Sequence, residues 1–535
     1  MNRKTLVLSA VVGLLAPVLA GCGGSDGGSG GGDAIVVGTT DPFVATKEAP
    51  APVDPAYTYD TNTWNLLKQT IQTLLYIPRG GGEPMPDAAS QCGFTDTGSE
   101  SYRCTLRSGL TFSNGDPITA EDVKYSIERV SNINDPNGAV GLLANIDKIE
   151  TSGDNGVIFH LKTADATFPY KLSTPIAGII DPKVYAPKKL LEGFKIEGSG
   201  PYTFKAEVKD GKMLKAVYTK NPHYKGALKL QNSKVEVRYF PTAEDMAAAL
   251  KKGDIDVMNR SMTPKQIQDM QAKPDDTINL TEIPGQEIRY LAFNTNAPVV
   301  KDKAVRQAIA SVVNRGDLIK KVYGPMADPL YSVIPSGITG HTNSFFNEYG
   351  DGNKAEAAKF LSEAGIATPV KLTLNYTTDH YGAATKSEFE TLRDQLNSSG
   401  LFSVDLKGEP WATFLPKKNE GKFPVFGLGW FPDFPDPDNY IAPFLDKDNI
   451  LSSPYANKKA IDQLIPESRR EADRSAASNT FAELQNIVAA DVPMLPLWQG
   501  KQYIAARDDI FGVEWALDSG ANLHLWELGR GTAGS

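Results

Sequence analysis

Residues 429–433 read Gly-Trp-Phe-Pro-Asp, and their types suggest a binding surface. Gly429 suits a tight backbone turn, while Trp430 and Phe431 offer broad, rigid apolar surface. Asp433 sets a negative charge beside that surface. An ammonium buried in a closed site needs such a partner, because an unpaired buried charge is costly. Asp433 is also compatible with a turn cap in the run FPDFPDPDN, where Asp436 and Asp438 read as loop formers. Trp411, in Glu409-Pro-Trp-Ala-Thr-Phe414, is compatible with a second aromatic wall or with plain packing. Covalent chemistry has no motif past the Gly- and Ser-rich stretch at 23–32: from residue 33 onward GxSxG, SxxK and a Walker A lysine loop are all missing from the sequence. The five His, at 160, 223, 341, 380 and 524, lack HExxH or paired spacing, so no metal site and no cofactor is expected. Binding without catalysis is the reading, with a secreted hydrolase as the remote alternative.

Bulk properties agree with that reading. The chain has 535 residues, 55 Lys plus Arg against 64 Asp plus Glu, and a net charge of −9. An acidic balance argues against nucleic acid as a partner, since phosphate neutralisation needs clustered Lys and Arg. The 41% hydrophobic fraction supports more than one sizeable core. Three Cys occur, at 22, 92 and 104. Cys92 and Cys104 flank a Gly-, Ser- and Thr-rich turn, a common place for a disulfide outside the cytoplasm.

The leftover Cys22 has a separate context. Arg3 and Lys4 precede an apolar stretch from Leu6 to Ala20, too short for a permanent span but suited to a signal peptide over residues 1–21. Leu19-Ala-Gly-Cys22 resembles the lipobox of bacterial lipoproteins, which implies cleavage before Cys22 and lipid on its sulfur. Residues 23–32, GGSDGGSGGG, have no apolar group to offset ordering entropy and form a flexible tether within 22–33. Ten such residues reach roughly 15–20 Å. The expected protein is exported and lipid-anchored to the cell membrane, facing outward.

Past residue 34, short apolar runs alternate with helical patterns, so the class is α/β. Ala34-Ile-Val-Val-Gly38 reads as a buried strand. Thr119-Ala-Glu-Asp122 predicts a capping box ahead of Val123, Ile127 and Val130. Thr242-Ala-Glu-Asp245 repeats the signal, with Gly253 as the stop and Ile255-Asp-Val257 as a returning strand. Further helical patterns run through Val305–Val312, Ala355–Leu361, Phe389–Leu396 and Phe481–Val488.

The stretch Leu106-Arg-Ser-Gly-Leu-Thr-Phe-Ser-Asn-Gly-Asp-Pro-Ile-Thr-Ala-Glu-Asp-Val123, followed by Ser126 and Arg129, resembles a signature of extracellular solute-binding proteins of family 5. That family is the dipeptide, oligopeptide and nickel class of ATP-driven importers. Gly198-Ser-Gly-Pro-Tyr202, Gly253-Asp-Ile-Asp-Val257, Phe293-Asn-Thr295, Val305-Arg-Gln-Ala-Ile309, Ala355–Gly365 and Gly429–Asp438 extend the resemblance in order along the chain. It implies a two-lobed, periplasmic-binding-protein-like fold of class II, of the large type with an extra subdomain. On this sequence lobe I covers 34–286 with the subdomain at about 77–183, lobe II covers 287–492, and 493–535 return to lobe I. It further implies a monomer that captures peptides, oligopeptides above all, and passes them to separate permease and ATPase chains of an ABC importer.

In peptide-binding relatives the Asp at the position of Asp433 pairs with the peptide ammonium, so the resemblance makes Asp433, Trp430, Phe431 and Trp411 the expected ligand-binding residues. Thr39-Thr-Asp41 falls where a loop borders the ligand in relatives. The segment that could hold a carboxylate-binding Arg reads Tyr376-Thr-Thr-Asp-His-Tyr381 and has none. That departure leaves longer peptides or other cationic solutes open; a metal chelate as ligand and a peptide-signal receptor are further alternatives.

Overall fold

The computed structural model describes residues 34–531, apart from 48, 58, 260–261, 383, 448–454 and 519. The signal peptide, Cys22 and the tether therefore lie outside the described residues.

Ile35–Thr39 (β1) opens the body, buried at four of its five positions. Ala89–Phe94 (β2), Ser101–Leu106 (β3), Ile146–Ser152 (β4) and Gly156–Leu161 (β5) form a four-stranded antiparallel sheet in the order β2-β3-β5-β4. Cys92 and Cys104 face each other across β2 and β3 and are joined by a disulfide, with Cα atoms 4.1 Å apart.

Apart from two short two-stranded pairs, the remaining strands join β1 in one large sheet. They are Tyr202–Lys209 (β6), Lys212–Lys220 (β7), Lys234–Tyr239 (β8), Val257–Asn259 (β9), Ile278–Phe293 (β10), Ala327–Pro329 (β11), Val370–Thr377 (β12), Phe402–Glu409 (β13), Val425–Trp430 (β14) and Met494–Arg507 (β15). Among the described residues the order is β13-β12-β14-β10-β15-β9-β1-β8-β7-β6, with β11 on β15. This mixed sheet, with helices packed against it, is the α/β arrangement that the alternating pattern predicts.

Two strands carry the sheet from one half of the molecule to the other. β10 has 16 residues and β15 has 14, about three times a typical strand. Ile278–Pro284 pair with Lys501–Arg507, whereas Ile288–Ala292 pair with Met494–Gln499, and the register shifts between Pro284 and Ile288. The backbones close on each other at the shift. A Cβ on Gly285 would meet the Gly500 carbonyl oxygen at 2.5 Å, so only glycine fits there.

Separate cores lie to either side of that crossing. One runs from Ile288 to Trp498 and includes Phe293, Leu374, Phe426, Tyr440, Leu484 and Leu495. The other gathers Val37, Leu67, Tyr202, Val235, Val257, Ile504 and Leu525. A third, under the four-stranded sheet, holds Phe112, Val123, Ile127, Phe159 and Phe168. Each fully buried Leu or Phe contributes about 1.5–3 kcal/mol, so the cores far outweigh the few hydrogen bonds at the crossing.

Local signals explain the helices that frame these cores. Ala120–Ile133 (α1) starts at a capping box in which Thr119 N donates to Asp122 Oδ2 at 2.7 Å. Its Val123, Ile127 and Val130 are all buried. Ala243–Lys252 (α2) is capped by Thr242 Oγ1, which accepts from Asp245 N at 3.0 Å, and ends at Gly253 with φ of 76°. Lys303–Val312 (α3), Lys354–Glu363 (α4), Ala384–Ser398 (α5) and Ser478–Asp491 (α6) occupy the predicted helical stretches.

Arg129, on α1, shows what the signature block does. Its Nη1 and Nη2 donate to Asp54 Oδ1 and Oδ2 at 2.9 and 2.7 Å, and both side chains are fully buried. Its Nε and Nη2 also donate to the carbonyls of Ala186 and Lys189. This pair fastens α1 to two loops and is closed to any ligand.

Candidate functional site

Beside the strand crossing lies a cleft of about 870 Å³. One wall comes from the loop after β1 and the start of the helix Thr61–Thr70, with Asp41, Tyr59, Asn62 and Trp64. The other comes from β10, β14 and the loops beside them, with Arg289, His380, Tyr381, Trp430, Phe431 and Asp433. A smaller cavity of about 170 Å³ continues along the crossing to Gly500 and Tyr503 and shares Glu287 and Phe431 with the cleft. The cleft's volume lies in the range of small-ligand sites, roughly 300–1,000 Å³, and the smaller cavity falls below it.

Asp433 follows the end of β14 and is held on both sides. Tyr59 OH donates to its Oδ1 at 2.7 Å from the facing wall, and Asn439 Nδ2 donates to its Oδ2 at 3.1 Å. The Asp433 N–H in turn donates to Asn439 Oδ1 at 2.9 Å, which fixes the carboxylate's direction. Loss of water around the group pushes its pKa up to about 6, against the downward pull of Tyr59, Asn439 and Lys171. A carboxylate offers about four lone-pair sites, so two stay available after these bonds.

The neighbouring acids behave differently. Asp436 takes a two-point ion pair from Arg474 at 2.7 and 3.0 Å, and Asp438 pairs with Arg469 at 3.1 Å. Both carboxylates are buried, and Asp438 opens the helix Asp438–Leu445. Asp433 makes no ion pair among the described residues, and it is the acid of this loop that lines the cleft.

The aromatic residues sort into two layers. Trp430 and Phe431 line the cleft, and Trp430 also packs edge-on against Phe444 at 6.0 Å. The Trp430 Nε1 donor is buried and has no acceptor among the described residues. Trp411 sits one layer back. It begins the helix Trp411–Asn419 and stacks face to face on His380 at 3.9 Å, so His380 rather than Trp411 reaches the cleft. Burial and the nearby Arg289 push the His380 pKa down, which favours the neutral ring.

Gly429 does not turn the chain. It lies inside β14, opposite Arg289 on β10, and its missing side chain leaves room for the guanidinium. A Cβ there would fall 1.5 Å from Arg289 Nη1. Arg289, Glu287 and Tyr59 are cleft residues that sequence reasoning passed over. The available signal was an Arg inside the apolar run Ile288-Arg-Tyr-Leu-Ala-Phe293, where a charge has no place without a partner.

Comparison with known proteins decides the family. Residues 83–452, more than half of the chain, match the model for bacterial extracellular solute-binding proteins, family 5. The chain belongs to that family. A relative in Escherichia coli, named "Probable D,D-dipeptide-binding periplasmic protein", is 26% identical over 88% of this chain and 91% of its own. An ABC transporter substrate-binding protein of Listeria monocytogenes superposes with a TM-score of 0.78 at 24% identity, covering 94% of this chain and all of its own (100%). A dipeptide-binding protein of Pseudoalteromonas, solved with Met-Leu, gives 0.76 at 21% identity over 93% of this chain and 100% of its own. The solved structures establish the two-lobed binding-protein fold. As a family 5 solute-binding protein the chain is a transport binding protein and not an enzyme, and its relatives work outside the cytoplasm. Among the described residues no helix is long and apolar enough to cross a membrane.

Proposed function

We propose that this family 5 protein captures short peptides between its two lobes and delivers them to an ABC permease. The carrying observation is Asp433, a carboxylate without an ion pair among the described residues, oriented by Asn439 and Tyr59 in a cleft walled by Trp430 and Phe431. It offers a peptide ammonium two free lone-pair sites and a desolvated environment that strengthens the attraction. Trp430 Nε1 is placed to donate to a ligand carbonyl, and Phe431 supplies apolar contact. Trp411 supports the site through His380. The names of the relatives support a peptide as the ligand.

We place lobe I at 34–286, with its subdomain at about 77–183, lobe II at 287–492, and the return to lobe I at 493–535. The crossing itself falls at 285–287 and 499–500, where the long strands change register. Because the Asp433–Tyr59 bond spans the cleft, a ligand that touches both walls favours the closed form only by its differential affinity. Cys22 carries the lipid anchor, and the molecule acts as a monomer. A Cys22→Ala variant should leave the membrane fraction, and its retention there would refute the anchor.

A second reading keeps the cleft and changes the ligand. Asp41, Asp60, Glu287 and Asp433 line it against Arg289 alone among the Lys and Arg, which favours a cationic solute. Calorimetry separates the two. The full chain should bind a mixed tri- to pentapeptide pool and ignore the same pool N-acetylated. Binding of a simple diamine without binding of peptide would replace the peptide reading by the cationic one.

A further inference from the structure

The subdomain at 77–183 touches the loop that carries Asp433. Tyr170, in the short helix Phe168–Lys171, stacks on Phe434 with ring centroids 5.7 Å apart and planes 29° from parallel. Both residues are buried, at 5% and 3% exposure. Beside the stack, Ala166 N donates to the Arg469 carbonyl at 2.7 Å, and Ser99 Oγ donates to the Arg470 carbonyl at 3.1 Å. Asp165 N donates to the Ser99 carbonyl at 2.9 Å, which joins the two subdomain loops into one surface. The charge of Asp438, and after it that of Asp165, raises the Arg469 pKa against the opposing effect of burial. Ser99, Ala166, Tyr170, Phe434, Arg469 and Arg470 all lie outside the lining of the cleft.

These contacts join residues on opposite sides of the crossing at 285–287 and 499–500. Phe434 follows Asp433 directly, and Asp436 and Asp438 tie the same loop to Arg474 and Arg469. The subdomain therefore grips a single unit, made of the Asp433 loop and the segment 469–474. Two lobes joined by a pair of strands move about that pair, so a bridge outside it must break when they part. One ring pair and two hydrogen bonds to main-chain carbonyls make a breakable bridge. On opening, the N–H, hydroxyl and carbonyls find water, while the rings lose their burial. Closure thus has a stabilising contact that owes nothing to a ligand.

We infer that the subdomain is a clamp on closure: Tyr170, Ala166 and Ser99 hold lobe II through Phe434, Arg469 and Arg470, and favour the closed form by contacts that no ligand makes. The inference rests on the division into lobes proposed above and not on the ligand being a peptide. Clamp and ligand favour the same form, so each strengthens the other. Affinity for an occupant of the cleft is then set in part by residues that never touch it. Loss of the clamp shortens the life of the complex more than it slows its formation.

Hydrogen exchange on the full chain, read by mass spectrometry, tests the clamp without a ligand. Tyr170→Ala and Phe434→Ala should each speed exchange at 165–171 and 465–474 by about 5- to 150-fold, the usual range for coupled sites. The strands β3 and β5 of the four-stranded sheet should keep the protection of the unaltered chain. Adding the mixed tri- to pentapeptide pool should slow exchange in the same two segments, which a contact that never opens does not allow. Calorimetry should show each variant losing affinity for the pool, and the double variant losing no more, because the two rings form one contact. Ser99→Ala, which removes a hydroxyl and leaves both rings, guards against a folding defect and should move both readouts the same way by a smaller factor. Exchange unchanged in Phe434→Ala and Ser99→Ala, exchange sped equally across the four-stranded sheet, or losses that add in the double variant, overturn the clamp. Failure of the pool to bind the unaltered chain overturns the peptide reading, and the ligand-free exchange then decides the clamp alone.

Discussion

Arg129 and Arg289 are both buried arginines, and the contrast between them separates architecture from function. Arg129 spends its donors on Asp54 and on two backbone carbonyls, with both side chains of the ion pair fully buried. Among the described residues Arg289 pairs with one carboxylate, rests under an aromatic ring and has no acceptor at Nη1, at a cleft wall. The same division appears among the acids of residues 433–438, where Asp436 and Asp438 are neutralised by arginine and Asp433 has no such partner among the described residues. A saturated buried charge holds a fold together. An unsaturated one beside a cavity has capacity left for a ligand.

The largest effect that could break this contrast lies at Arg129. Arg129→Met strands the Asp54 charge and should destabilise the protein by about 3–5 kcal/mol, while peptide affinity stays unchanged once the variant is folded. Denaturant unfolding and calorimetry check the two halves separately. At Asp433 the pattern should invert. Asp433→Asn should weaken peptide binding by about 2–5 kcal/mol, the cost of removing one partner of a desolvated pair, with little change in unfolding.

Smaller effects sharpen the comparison. Reducing the Cys92–Cys104 bridge should cost about 2–3 kcal/mol of stability and leave affinity alone, because it closes a short hairpin and neither Cys lines the cleft. The pH profile follows from the raised Asp433 pKa of about 6 against its ordinary 3.8. Over that window the folded chain holds the proton more tightly than the unfolded chain. This group's contribution to stability is therefore greatest at low pH and is lost as pH rises through about 6. Peptide binding has the opposite slope, since it needs the ionised carboxylate. Affinity should fall about tenfold per unit below pH 6 and should also fall above about 8, where the α-amino group deprotonates. Asp433→Asn should remove the acid limb. Trp411→Phe should have the smallest effect, well under tenfold, because His380 stands between that ring and the ligand.

Much of the fold is written locally. Thr119 and Asp122, Thr242 and Asp245, and Gly253 act within one turn of chain, so cap chemistry alone places the ends of their helices. Asp433 was also legible, since its loop carries aromatic surface and acid side by side. Arg289 was not, because its role is assembled from four separate segments: β10 supplies the charge, β14 the gap at Gly429, the loop after β12 the ring of Tyr381, and β15 the ring of Trp498. Gly429 reads as a turn former from its neighbours, yet pairing in β14 makes it a spacer. Trp411 is set back for a similar reason, as the stack with His380 depends on two loops meeting.

The structure of the full chain with a bound tripeptide tests the central claim most directly. The expected result places the peptide ammonium about 2.7–3.2 Å from an Asp433 carboxylate oxygen, in the cleft walled by Trp430 and Phe431. A tripeptide bound with its ammonium away from Asp433, or outside the cleft between Tyr59 and Trp430, would contradict it.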